Sequence, residues 1–280
     1  MFDELLSDEE QLNSPFNDES YDEPQSNETI MGQIYAPLQD VGIDPLAFIG
    51  INDVSGEIPK RIFQTHKSIE FVKSSKSIIN AINSWRRYVP EFEYYFFTDD
   101  MCRDFMKNIM TNEFGYEVYI AYTLLPDGAM KADLWRYCAI YHYGGIYADV
   151  DTICRCNPNI LIKLKSNLVC SPEENEPYLA QWCFSAVKKS PILKEVIEQC
   201  ITRVIRAVKP FSVASSAKYL TGAGVFTDSV EAYLRRIGFK TFDDKEKYWV
   251  YKNREILCFK VDVFQQKMVK HIGFGSWLEE

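Results

Sequence analysis

The run KADLWRYCAIYHYGGIYADVD, Lys131 to Asp151, admits few conformations. Asp127, just after Pro126, is placed to cap a helix, and neither proline nor glycine interrupts Lys131 to Tyr143. The pattern predicts a helix of about four turns that stops at Gly144-Gly145. Asp133, Arg136 and Tyr137 then share one helical face. Beyond the glycines, Ile146, Ala148 and Val150 alternate with Tyr147, Asp149 and Asp151, the period of a strand with one side in a core. Two carboxylates therefore leave the sheet together.

Two oxygen ligands at a strand end suit a hard divalent cation, Mn²⁺ or Mg²⁺, and leave coordination positions for phosphate oxygens. Asp-x-Asp alone is weak, because eighteen Asp in the chain give on the order of one such triplet by chance. A solvated turn has the same local pattern. Context separates the two.

Lys131-Ala-Asp-Leu-Trp-Arg-Tyr137 followed by Tyr143-Gly-Gly-Ile-Tyr-Ala-Asp-Val-Asp151 resembles the signature of the DXD-containing sugar transferases. That family, glycosyltransferase family 32-like, includes the fungal initiating α-1,6-mannosyltransferase and the α-1,4-galactosyltransferases, with the glucosylating clostridial toxins as more distant relatives. Ile58-Pro-Lys-Arg-Ile-Phe-Gln-Thr65 and His271-Ile-Gly-Phe-Gly-Ser-Trp277 match in the same order, so the resemblance runs from residue 58 to 277.

The resemblance implies a GT-A-type α/β domain with a mainly parallel, Rossmann-like sheet flanked by helices. It also implies transfer of a sugar from a UDP- or GDP-sugar to a glycan or glycoprotein acceptor, with retention of configuration. Asp151 would ligate the cation directly, Asp149 would reach it through water or hold ribose and sugar hydroxyls, and His271 would be the third ligand. Asp133 and Arg136 would address the donor sugar. Phe63, Gln64, Thr65 and His66 would lie beside the nucleotide, with His66 where the family commonly has a base-stacking Trp. Tyr147 would wall the nucleotide. Thr221 and Gly222 would offer a turn at a helix start, with Ala223 where the family has proline, and Ser276 and Trp277 would close over the donor, Trp277 joining Asp133 and Arg136 in catalysis.

The rest of the chain fits this frame. Ile58 to Thr65 and Phe92 to Thr98 read as strands, and Ser75 to Tyr88 as a helix, with another from Asp99 to about Met110. Strand, helix, strand, helix predicts parallel pairing, and such sheets bind ligands beyond the carboxyl ends of their strands. Asn167 to Cys170 and Gln181 to Val187 read as later strands, the second antiparallel, and Pro191 to Val208 as an amphipathic helix. Trp135 is expected in the core.

Charge divides the chain unevenly. Residues 1–59 hold fourteen Asp and Glu and no Lys or Arg, which leaves 26 acids against 31 bases in the remainder of a chain of net charge −9. Residues 1–29 are expected to be an acidic disordered tail, 30–57 an N-terminal arm and 58–280 the transferase domain. Neither a signal peptide nor a membrane-length apolar run is evident. That absence predicts a cytoplasmic enzyme of bacterial or viral origin with no integral membrane segment, and no basic cluster calls for nucleic acid. The eight cysteines sit mostly in apolar runs, as buried thiols do.

Two rival readings remain open. Ile146 to Ile153 also resembles the Asp-x-Asp-x-Thr loop of haloacid-dehalogenase-type phosphatases, with Asp149 as nucleophile. A transferase fold kept only for carbohydrate binding would show the same residues.

Overall fold

The computed structural model describes residues 56–88, 91–162, 166–174, 176–207, 213–238, 249–250, 256–259 and 262–273. They belong to one compact unit, Phe48–Glu280. The 1–29 tail, nearly all of the 30–57 arm, Ser276 and Trp277 lie outside the described residues.

Strand β1 (Arg61–Thr65) is buried along its whole length. Helix α1 (Ile69–Ser74) follows, with the Ser68 hydroxyl accepting the Phe71 N–H at 3.2 Å. Next come α2 (Lys76–Tyr88) and β2 (Glu93–Phe97). Thr98 caps α3 (Asp99–Phe105), accepting the Met101 N–H. Asp99 and Asp100 are already in the first turn, where their charge favours the helix N-terminus. A π-helical turn, Met106–Met110, and one further turn, Thr111–Phe114, lead to α4 (Glu117–Leu124).

The expected long helix is α5 (Gly128–Tyr143), capped by Asp127, whose Oδ1 accepts the Met130 N–H at 2.7 Å. Gly144 ends it at φ 69° and Gly145 continues at φ 115°, both in the region that favours glycine. A Cβ on Gly144 would lie 2.7 Å from Pro59 Cδ and 2.8 Å from the Lys188 N, and one on Gly145 would lie 2.8 Å from the Arg61 carbonyl. These glycines let β3 (Gly145–Ala148) approach β1 closely enough to pair.

The remaining elements are β4 (Thr152–Cys154), β5 (Leu168–Cys170), β6 (Cys183–Ala186), α6 (Pro191–Arg206), α7 (Val213–Leu220), α8 (Ala223–Arg236), β7 (Trp249–Val250), β8 (Ile256–Cys258) and β9 (Val269–His271). Among the described residues seven strands form one sheet, in the order β2-β1-β3-β6-β5-β8-β7. β1 runs parallel to β2 and β3, and β5 parallel to β8, whereas β6 is antiparallel to both β3 and β5. The α/β architecture is as expected, but the sheet is mixed beyond β3.

The one-sided alternation expected for β3 is not found: all four of its residues are buried. A central strand of an α/β sheet is covered on both faces, so its polar residues survive only with internal partners. All eight cysteines are free and buried, and burial pushes the Cys156 thiol up to about 12. Trp135 is fully buried, as expected.

Candidate active site

The chain passes from β1 to β2 on one side and returns to β3 on the other, so the carboxyl ends of β1 and β3 flank a reversal of strand order. Crevices at such reversals are where open α/β sheets hold ligands. Gln64 spans this one. Its amide nitrogen donates to the Asp149 carbonyl at 3.0 Å, and its oxygen accepts the Tyr94 hydroxyl at 2.6 Å.

Three ligand-type side chains meet there. Asp149, Asp151 and His271 each present a donor atom within 4.8 Å of the others. Asp149 and Asp151 flank the turn from β3 into β4, and a second two-stranded sheet pairs Thr152 with His271. The Ile272 N–H also donates to the Asp151 carbonyl at 2.9 Å. His271 Nε2 lies 3.2 Å from Asp151 Oδ1 and 4.0 Å from Asp149 Oδ2. Two carboxylates and an imidazole suit Mn²⁺ or Mg²⁺ as a donor set.

The electrostatics follow from crowding. Burial raises the Asp149 carboxyl, which Arg136 works to lower, although a quarter of its side chain stays open. Burial opposes charge on His271, yet Asp151 and Asp149 outweigh it and hold the imidazole above its usual range. Arg136 is also desolvated, and Asp149 and Asp133 keep it charged.

Arg136 joins the cluster to α5. Its guanidinium lies 3.2 Å from Asp149 Oδ1 and 3.1 Å from Asp133 Oδ1, one helical turn away, and sits over the Tyr147 ring at 4.5 Å. Asp133 takes two further hydrogen bonds, from the Gln181 amide at 2.9 Å and the Thr221 hydroxyl at 3.1 Å. Burial raises its carboxyl to about 6.

Several expected roles change with these contacts. Tyr147 is 1% exposed and its hydroxyl donates to Asp149 Oδ1 at 2.5 Å, so it positions that carboxylate instead of walling a ligand. Phe63 is fully buried between Tyr95 and Tyr143, at ring separations of 5.2 and 5.5 Å, and stabilises the strand from behind. Thr65 spends its hydroxyl on the Phe97 carbonyl. The Thr221 and Gly222 amides both donate to the Ala217 carbonyl, which closes the end of α7 and leaves neither for an anion. His66 stacks on Phe71 at 4.2 Å, its Nδ1 buried with no hydrogen-bond partner among the described residues. Burial, helped by Lys67, pushes its pKa down to about 4.

Residues 75–167, which include α5, β3 and both carboxylates, match the family described as "Glycosyltransferase sugar-binding region containing DXD motif". This stretch is similar to the sugar-binding region of DXD-type glycosyltransferases. Inositol phosphoceramide mannosyltransferase 2 of Schizosaccharomyces pombe is 36% identical over 42% of this chain and 33% of its own length. The initiation-specific alpha-1,6-mannosyltransferase of Candida albicans is 25% identical over 70% of this chain and 59% of its own. The chain thus spans less than two thirds of either relative. A solved glycosyltransferase, PaToxG, overlaps 65% of this chain and 72% of its own at TM-score 0.48 and 16% identity.

These relatives correct the expected location. They are fungal mannosyltransferases, and the viral match, an uncharacterised mimivirus glycosyltransferase, covers only 24% of this chain, so a bacterial or viral cytoplasmic origin is not supported. Among the described residues no helix is long and apolar enough to cross a membrane. The phosphatase reading also recedes, because the family match covers the carboxylates and Asp149 follows the third strand of the domain.

The candidate site contains two residues that no motif marked, Gln181 and Trp182. They lie just before β6, which is antiparallel to β3, so the start of one strand meets the end of the other. An antiparallel strand was expected here, but not that its partner would be β3.

Proposed function

We propose that this domain moves a sugar from a nucleotide-diphosphate donor to a glycan or glycoprotein acceptor, with help from a divalent cation and with retention of configuration. The observation that supports it best is the convergence of Asp149, Asp151 and His271 at the β1/β3 reversal, beside a buried arginine. Both fungal relatives are named mannosyltransferases, which makes mannose the first donor sugar to test.

Asp149, Asp151 and His271 would hold Mn²⁺ or Mg²⁺, which when bound supplies positive charge against the diphosphate that departs as the glycosidic bond breaks. The protein's part is orientation. Tyr147 and Arg136 fix the Asp149 carboxylate, Gln64 and Thr152 hold its carbonyl, and Asp133 holds Arg136 from the helix side. Such a preset arrangement needs little reorganisation during reaction. Ser276 and Trp277 are proposed to cover the donor, and His66 to lie along the nucleotide.

The test is hydrolysis of a panel of GDP- and UDP-sugars with Mn²⁺, GDP-mannose included, repeated with Asp151→Ala. Turnover should fall by about 10²–10³-fold in the variant, the scale of losing a principal charge-stabilising group. Unchanged turnover would move the site elsewhere. Donor binding without any hydrolysis or transfer would favour the carbohydrate-binding reading.

A further inference from the structure

Gln181-Trp182 touches each side of the charged cluster. The Gln181 carbonyl accepts from Arg136 at 3.2 Å, and its side-chain amide donates to Asp133. The Trp182 carbonyl accepts the Asp149 N–H at 2.8 Å. Its indole stacks nearly parallel to the His271 ring, at 5.1 Å between centroids and 12° between planes. The indole is itself fixed: its N–H donates to Glu173 Oε2 at 3.2 Å, and Phe264 packs against it at 5.8 Å.

His271 needs such support. It lies on a three-residue strand at the edge of a two-stranded sheet, and 38% of its side chain is exposed. Backbone pairing to Thr152 fixes where the residue sits but not where the ring points. An imidazole with a free χ2 would spend much of its time turned away from the carboxylates. Groups that orient a ligand commonly change metal affinity by about 10–100-fold when removed.

We infer that Trp182 is the positioning residue that sets the His271 imidazole toward Asp149 and Asp151, with Glu173 holding the indole in place. This rests on the reading of those three residues as a cation site. Trp182 also carries the Asp149 backbone, so one residue registers ligands from both ends of the site.

The test measures Mn²⁺ binding to the full chain by the electron paramagnetic resonance signal of the free ion, without substrate. Trp182→Leu should weaken binding by about tenfold. Trp182→Phe, which keeps a stacking ring, should recover most of that loss. In a His271→Ala background Trp182→Leu should change little, because its partner is gone. Wild-type affinity in folded Trp182→Leu would overturn the inference, and so would an equal loss in both backgrounds. Should Trp182→Leu fail to fold, Glu173→Ala carries the test: it must weaken Mn²⁺ binding in the wild-type background and not in His271→Ala. Failure of the wild-type chain to bind Mn²⁺ at all would instead sink the cation site, which separates the two conclusions.

Discussion

The Tyr147 hydroxyl donates to Asp149 Oδ1 at 2.5 Å from a ring that is 1% exposed. A buried phenol spends its one donor on a carboxylate two residues further along, just beyond the end of β3. Tyr147→Phe removes that bond while leaving the ring beneath Arg136. The expected cost is about 1.5–3 kcal/mol of stability, the range for a hydrogen bond to a charged group. Donor hydrolysis should fall as well, since Asp149 keeps Arg136 but loses its second anchor. Urea denaturation and donor hydrolysis on the same sample check both, and wild-type turnover would show that Asp149 needs no such anchor.

Asp133 gives a pH-dependent prediction with a definite sign. Burial raises its carboxyl to about 6, against Arg136 and the hydrogen bonds from Gln181 and Thr221. In an unfolded chain the same group titrates near ~3.9. The folded state therefore holds the proton more tightly, so this contribution to stability is complete below about pH 4 and lost as pH rises through 6. Asp133→Asn fixes the uncharged form. Its urea midpoint relative to wild type should climb between pH 4 and 7, by the equivalent of at most about 3 kcal/mol. Parallel curves for the two proteins across that range would contradict the raised carboxyl.

The turn between α5 and β3 was legible in the sequence because it is local: a cap at Asp127, an uninterrupted run and paired glycines. The two carboxylates were legible for the same reason. Tyr147 was not, because alternation cannot tell a half-exposed strand from one covered on both faces, and only the placement of β3 at the middle of the sheet decides it. Phe63 was misplaced similarly: its neighbour Gln64 faces the site, while its own ring packs on Tyr95 and Tyr143. Gln181 and Trp182 act across more than thirty residues of intervening chain: an antiparallel strand was expected there, but no local spacing encodes that its start meets the end of β3.

Gly144 carries a structural prediction that follows from that turn. Its φ of 69° and ψ of 170° fall in a region open essentially to glycine alone, which costs a residue with a Cβ about 1–3 kcal/mol, and the added atom would meet Pro59 and the Lys188 backbone nitrogen below 3 Å. Gly144→Ala should therefore cost more than the conformational term alone. The same variant is expected to lower turnover only through the loss of folded protein, since the cluster lies at the other end of β3. Activity per folded molecule, read beside the denaturation midpoint, distinguishes this from a direct effect on the site.

Thr152 gives the last prediction, at the turn between the two carboxylates. It is fully buried, its hydroxyl donates to the Asp149 carbonyl at 2.6 Å, and its N–H donates to the same oxygen at 3.0 Å. The Trp85 indole N–H, from α2, points at the Thr152 carbonyl (3.0 Å) and hydroxyl (3.2 Å). This closes the turn from below and holds Asp149 and Asp151 at one spacing. Thr152→Val keeps the shape and removes only the hydroxyl. The Asp149 carbonyl retains the Thr152 N–H and Gln64, and the indole retains the Thr152 carbonyl, so no buried group is orphaned and the stability cost should stay near 1 kcal/mol. Trp85→Phe leaves the Thr152 carbonyl without that donor and a gap beside it, and should cost more, about 2–3 kcal/mol. If the turn is what spaces the carboxylates, Mn²⁺ affinity should fall in the same order, Trp85→Phe below Thr152→Val. Equal affinities in two variants of unequal stability would mean that the carboxylates are held by Arg136 and the β4–β9 pairing instead.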